Sequence, residues 1–357
     1  MKAILMLEDG KSFTGEALNG GADKIGELIF NTAVVGYQEM LTDPANAGKI
    51  LVLTYPLIGN YGVASKFNES KEVWLEGLVI KEKTRIFSNW QAKDSLDNFI
   101  KEHNLLTISE VDTRTLAVHL RQKGQMLGVI STSSFEPKEL LKKIEAFRKN
   151  TAVSFLPKIS VSKPRHLGRI KAKHKVAILD LCITNSIIKQ LEALGLSLTI
   201  LPFNITPEEV LRLKPSGLVI SSGPEEDVGL ADVANNIKPL IGRLPILGIS
   251  CGHQVLARAL GAKITKMKVG HHGVNYPINN PATYKGEITA QNHSYVVDVD
   301  SLSKIKEIKI TGYNLNDRTV EEIESKKLKL IGIQYYPASP GFNEVNSIFK
   351  KFIKILK

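Results

Sequence analysis

The segment Gly248-Ile249-Ser250-Cys251-Gly252-His253-Gln254 sets a hydroxyl and a thiol side by side, with an imidazole two residues on. Hydroxyl and thiol are the groups that attack a carbonyl carbon in covalent catalysis, and each needs a base to take its proton or an environment that lowers its pKa. The apolar run from Leu244 to Ile249 leads directly into this segment. That order predicts a buried strand breaking into a helix through small residues, the geometry that holds a nucleophile out over the end of a parallel sheet.

The elements around the segment support such a sheet. From Lys175 onward, strand-like runs (KVAILDLC, LSLTILPF, SGLVISS, PILGIS) alternate with amphipathic helical stretches at Asn185 to Leu194, Pro207 to Leu213, Asp232 to Ile241 and His253 to Leu260. Alternation of this kind predicts a parallel sheet covered by helices on both faces. Ligands of open α/β sheets bind outside the carboxyl ends of the strands, where Ser221-Ser222-Gly223 and Ser250-Cys251 fall. Near the carboxyl end, Val345, Ile348, Phe349, Phe352, Ile353 and Leu356 share one helical face, which predicts a helix docked on the core.

The first 150 residues read differently. Short alternating strands (KAILMLEDG, GELIFNTAVVG, KILVLTYP, LEGLVIKE) mix with helical stretches at Asp94 to His103 and Thr113 to Lys123, and turn chemistry is dense at Asn31 to Pro44 and Thr54 to Gly62. The expectation is an α/β protein: a mixed β/α domain over residues 1–150, a linker over 151–174, and a doubly wound, mostly parallel-sheet domain over 175–357. Seven Lys/Arg and no acid between Thr151 and Lys175 supply much of the net charge of +11. With its prolines and serines this stretch reads as a solvated linker, with contact to an anionic partner as the competing reading. Aromatics are only 6% and show no spaced stacking platform, so nucleic acid is not an expected partner.

Composition narrows the setting. No apolar run approaches the ~20 residues that a membrane span requires, and acidic residues come too early after Met1 for a secretory signal, so a cytoplasmic protein is expected. Cys182 and Cys251 are the only cysteines, and they read as separate reduced thiols rather than a disulfide framework. No phosphate-cradling GxxxxGK[ST] loop is present, and neither a metal nor a cofactor is expected on this chain.

PILGISCGHQ, the segment Gly261 to Ile278 and TAQNHSYVVD (Thr289 to Asp298) together resemble the amidotransferase domain of the carbamoyl phosphate synthetase small subunit. The turn-rich strings Asn31 to Pro44 and Thr54 to Gly62, with Ser109 to Gly124, resemble the amino-terminal domain of the same family, so the likeness spans nearly the whole chain. The resemblance implies a separate large subunit as partner, carrying ATP, bicarbonate and magnesium chemistry. It also implies a glutaminase on this chain, built from a cysteine, a histidine and a glutamate.

Residue by residue, that glutaminase is altered. Where the family has G-I-C-L-G-H-Q, Ser250 takes the nucleophile's place and Cys251 that of the residue giving an oxyanion-hole N–H. Where the family has Q-Y-H-P-E-A-S-P-G, the chain reads Gln334-Tyr335-Tyr336-Pro337-Ala338-Ser339-Pro340-Gly341. Tyr336 therefore stands in for the base, and the glutamate is deleted. A phenol with a reference pKa near 10 is a poor base at neutral pH, and an unassisted serine hydroxyl is a far weaker nucleophile than a thiolate.

The family's glutamine pocket maps onto Ala45, Gly223, Glu225, Cys251, Gln254, Asn292, Ser294 and Tyr295. Of these, Gly223, Gln254 and Asn292 keep the family residue, whereas Ala45 replaces a serine, Glu225 a glycine, and Ser294-Tyr295 a glycine and phenylalanine. A D-F-G-x-K string has become Asp180-Leu181-Cys182-Ile183-Thr184. The expectation is a small subunit that has lost glutamine hydrolysis, with glutamine binding doubtful, and that supports an ammonia-fed large subunit. Three alternatives stand beside it: an active glutaminase using Cys251, a scaffold that binds an acidic partner through the basic linker, and a hydrolase of another amide or ester using Ser250.

Overall fold

The computed structural model describes residues 1–150, 154–168, 172–341 and 344–356. The chain divides into two units, one of Met1–Val153 with Lys268–His272 and one of Ser154–Met267 with Gly273–Lys357.

The first unit is built on seven strands, β1 (Lys2–Leu7), β2 (Ser12–Ala17), β3 (Lys24–Asn31), β4 (Lys49–Leu53), β5 (Gly77–Val79), β6 (Thr107–Ser109) and β7 (Leu127–Ser131). They close into a barrel in the order β1-β2-β6-β5-β4-β3-β7. The strands β3, β4, β5 and β6 run parallel to their neighbours in a contiguous block, and β1, β2 and β7 complete the closure antiparallel. Ala3, Leu5 and Leu7 point inward with Leu28, Ile50, Val52 and Ile108, the period-2 face expected of a strand with one side in a core. The alternating runs legible in the sequence are thus strands. Their closure into a barrel comes from β1 pairing on both sides.

The second unit carries a ten-stranded sheet. Its strands are β8 (Arg165–Gly168), β9 (Lys175–Asp180), β10 (Ser197–Pro202), β11 (Gly217–Ile220), β12 (Ile246–Ile249), β13 (Ile264–Asn279), β14 (Gly286–Val297), β15 (Lys309–Asn314), β16 (Val320–Ser325) and β17 (Leu330–Ile333). Their order is β8-β10-β9-β11-β12-β17-β16-β15-β13-β14. The five strands from β10 to β17 in that order are parallel, and antiparallel strands extend the sheet at both ends. Successive residues of the central strands feed two cores. Ala177, Leu179, Leu218 and Ile220 pack with helix Leu230–Ile237 and with Val255 and Leu256. Val176, Ile178, Val219 and Leu247 pack on the other face with Ile187, Leu191, Phe349 and Phe352. The sheet is doubly wound, and the carboxyl-terminal helix Ser347–Ile353 docks on it as its apolar stripe predicts.

Part of the stretch 151–174 is regular structure rather than solvated linker. Leu156–Ile159 forms a short helix, and β8 pairs antiparallel with β10 as an edge strand. Arg165 and His166 on an exposed edge suit that position, because charge there discourages further strand addition. Residues 151–153 and 169–171, including two of the seven basic residues, Arg169 and Lys171, lie outside the described residues. No described helix is long and apolar enough to cross a membrane.

Candidate functional site

Strand β12 ends at Ile249, and helix Cys251–Ala259 begins two residues later, so Ser250 alone makes the turn. Its backbone sits at φ 52°, ψ −114°, a left-handed conformation that costs a non-glycine residue of order 1–3 kcal/mol and survives only where its surroundings enforce it. The enforcement is visible. Ser250 N–H donates to Ile333 O at 2.7 Å on the neighbouring strand, and Ser250 C=O accepts from His253 N at 2.9 Å and Gln254 N at 3.2 Å. Two glycines let strand and helix cross this closely. A Cβ on Gly248 would lie 2.6 Å from Gly252 O, and one on Gly252 would lie 2.2 Å from Ile220 O.

The side chains at this apex are quiet. Ser250 is buried, and its side chain makes no capping hydrogen bond to the helix. Cys251 is fully buried, and burial, followed by the nearby carboxylates of Glu225, Glu226 and Asp227, pushes its thiol well above its ordinary pKa. His253 is also fully buried against Gly332. Burial lowers its pKa to about 3, and neither ring nitrogen has a hydrogen-bond partner among the described residues. Burial thus favours its neutral form near neutral pH.

Tyr336 follows β17, the parallel neighbour of β12, with Ile249 opposite Ile333 in the register. Both Ser250 and Tyr336 therefore lie just past the carboxyl ends of adjacent strands. Tyr336 is half-buried, and its N–H donates to Ala290 O at 2.8 Å.

Of the expected pocket residues, Gln254, Ser294 and Tyr295 cluster with the Glu225 carboxylate. Glu225 Oε1 accepts from Gln254 Nε2 at 2.5 Å, and Glu225 Oε2 accepts from Ser294 N at 2.5 Å. Gln254 Nε2 also donates to Tyr295 O at 2.9 Å and Gln334 Oε1 at 3.3 Å. Gly223 stands where a Cβ would meet Leu181 backbone at 2.9 Å, so its backbone is pressed against the end of β9. The following Cys182, in the place of the family's glycine, takes φ 146°. Asn292 is half-buried on β14. Ala45 belongs to the other unit, buried in a short 3-10 turn in which its N–H donates to Asp43 Oδ1 at 3.0 Å.

Glu225, Gln254, Ser294 and Tyr295 are thus joined by hydrogen bonds in one cluster. Gln334 completes it, and the sequence reading had passed over that residue. Its place beside Tyr335-Tyr336, just beyond a strand adjacent to β12, was the available signal.

Residues 5–130 match the carbamoyl-phosphate synthase small chain, CPSase domain, and residues 177–355 match the class-I glutamine amidotransferase domain. The carbamoyl phosphate synthase small chain of Chlorobaculum tepidum is 38% identical over 359 residues, covering 99% of this chain and 98% of that protein. The small chain of Caldanaerobacter subterraneus is 39% identical over 357 residues, covering 100% and 97%, and that of Aquifex aeolicus is 38% identical over 366 residues, covering 99% and 98%. With both units matched and relatives aligned end to end, the chain belongs to the carbamoyl phosphate synthase small-chain family and carries its glutamine amidotransferase domain.

Proposed function

We propose that this chain is the small subunit of a carbamoyl phosphate synthase whose amidotransferase centre does not hydrolyse glutamine, so that its ATP-using large partner draws on free ammonia. The observation that carries this reading is the Glu225 carboxylate, bonded to Gln254 and to the Ser294 N–H in the pocket where the family holds glutamine. A substrate α-carboxylate would have to displace or neighbour that charge, and like charges in a partly dry site repel by several kcal/mol.

The apex supports the same reading. Amide hydrolysis requires a nucleophile whose proton is taken during attack and returned to the leaving ammonia. Ser250 has the strained turn but no histidine follows the neighbouring strand to serve as its base, because Tyr336 stands in that place. Cys251 is a poor substitute: its thiol is held protonated by burial, and it belongs to the first turn of the helix rather than the apex. Loss of a nucleophile and base acting as a unit costs on the order of 10^4-fold or more in turnover. The retained task is to dock on the large subunit and support its active conformation.

The test is carbamoyl phosphate synthesis by co-purified large and small subunits, fed glutamine or ammonium chloride, with a Cys251→Ala variant alongside. Activity with ammonium only, unchanged in the variant, is the expected result. Glutamine-driven synthesis with release of glutamate would refute the reading, and its loss in Cys251→Ala would place the nucleophile one residue along.

A further inference from the structure

The first unit holds a cleft of about 720 Å³, within the range of small-molecule sites. Its position follows from topology. The parallel strands β3, β4, β5 and β6 end at Asn31, Leu53, Val79 and Ser109, and the cleft is lined just beyond those ends by Thr32, Thr54, Lys81 and Thr113. The loops at the carboxyl ends of parallel strands are where α/β folds, barrels included, place ligands.

Helix Thr113–Lys123 forms the second wall. Leu116 and Leu120 face the barrel core, whereas Arg114, Ala117, Val118 and Arg121, spaced i, i+3, i+4 and i+7, line the cleft. The lining carries three cations, Lys81, Arg114 and Arg121, none of them with an ion-pair partner within 4 Å among the described residues. Its one carboxylate, Asp112, caps the helix, accepting from Thr115 N at 3.0 Å and Thr115 Oγ1 at 2.8 Å, and its charge partly offsets that of Lys81, so the three cations leave the lining with a net positive charge. Phe30, Pro56 and Val118 supply an apolar floor.

We infer that this cleft binds a small organic anion, its phosphate or carboxylate held by Lys81, Arg114 and Arg121 and its apolar body lying on Phe30, Pro56 and Val118. Guanidinium groups engage such heads through paired, charge-assisted hydrogen bonds. The site lies wholly within the barrel unit, and the inference does not rest on the reading of the amidotransferase centre.

Titration of the full chain with phenyl phosphate and benzoate, with benzyl alcohol as the neutral counterpart, tests it by calorimetry and ligand-observed NMR. One saturable site per chain is expected for at least one anion, and the preferred arm identifies the head group. The double variant Arg114→Gln/Arg121→Gln should bind roughly tenfold more weakly or worse at unchanged melting temperature, while Lys306→Gln on the other unit binds as the parent. Absence of saturable anion binding, equal binding of benzyl alcohol, or undiminished affinity in the double variant overturns the inference. The titration is repeated on the chain assembled with the large subunit. Retained binding is expected there, and loss would mark the cleft as a subunit contact and overturn its role as a ligand site.

Discussion

On the proposed reading, Glu225 obstructs the glutamine pocket in a way that restoring the nucleophile alone would not reverse. Its two oxygens occupy a side-chain amide and a backbone N–H, two donors that could otherwise face a ligand carboxylate. Glu225→Gly should therefore create measurable binding of glutamine or glutamate by calorimetry where the parent shows none. Glutamate release should stay at background in Glu225→Gly/Ser250→Cys, since no histidine stands at position 336. Restored turnover in that double variant would show that another group serves as base.

His253 makes a second residue-scale prediction. Its folded pKa of about 3 lies below the ordinary 6.5, so the unfolded chain binds the extra proton between those values. The stabilisation is fully present above pH 6.5 and is lost as pH falls towards 3, amounting to about 2 kcal/mol by pH 5. Urea titrations at pH 7.5 and pH 5 should show His253→Leu losing about 2 kcal/mol less than the parent over that interval. Equal losses would mean that His253 is protonated in the native state.

At the scale of elements, the junction of β12 with helix Cys251–Ala259 is the tightest crossing at the site. Gly252 passes Ile220 O so closely that a methyl group must move a strand or the helix. Gly252→Ala should cost about 3 kcal/mol or more, at the upper end of overpacking penalties, read as a lowered urea midpoint. A change below about 0.5 kcal/mol, the range of ordinary surface substitutions, would show that the junction yields easily. The same rigidity accounts for the strained φ of Ser250: the glycines and the Ile333 bond hold the backbone whatever side chain it carries.

At the scale of the whole molecule, each unit has its own core, and the second begins with a polar anchor. The buried Asp227 carboxylate accepts from Ser154 Oγ at 3.1 Å, Phe155 N at 2.5 Å, Leu156 N at 2.9 Å and Gly229 N at 2.8 Å. It holds the entry segment of the unit against the start of helix Leu230–Ile237. Asp227→Ala should leave those donors unpaired at a cost of roughly 2–3 kcal/mol and speed tryptic cleavage at Lys158, seen as earlier appearance of two fragments. Unchanged cleavage kinetics would show that Leu156 packing alone secures the segment.

The central strands of the second unit and the strand–turn–helix at Ser250 were legible from sequence because a strand buried on both faces must be a continuous apolar run, and the break at small residues marks its end. The expectations at Ser250, Tyr336 and Glu225 likewise rest on sequence alone, since they are matters of residue type at fixed positions in a string. Closure of the barrel was not, because it depends on β1 choosing partners on both sides, among them β7 more than a hundred residues away. Nor was the fate of Glu225: its bond to the Ser294 N–H spans 69 residues. Periodicity reports which face of an element is dry, whereas only the packed chain decides which distant donor a side chain meets.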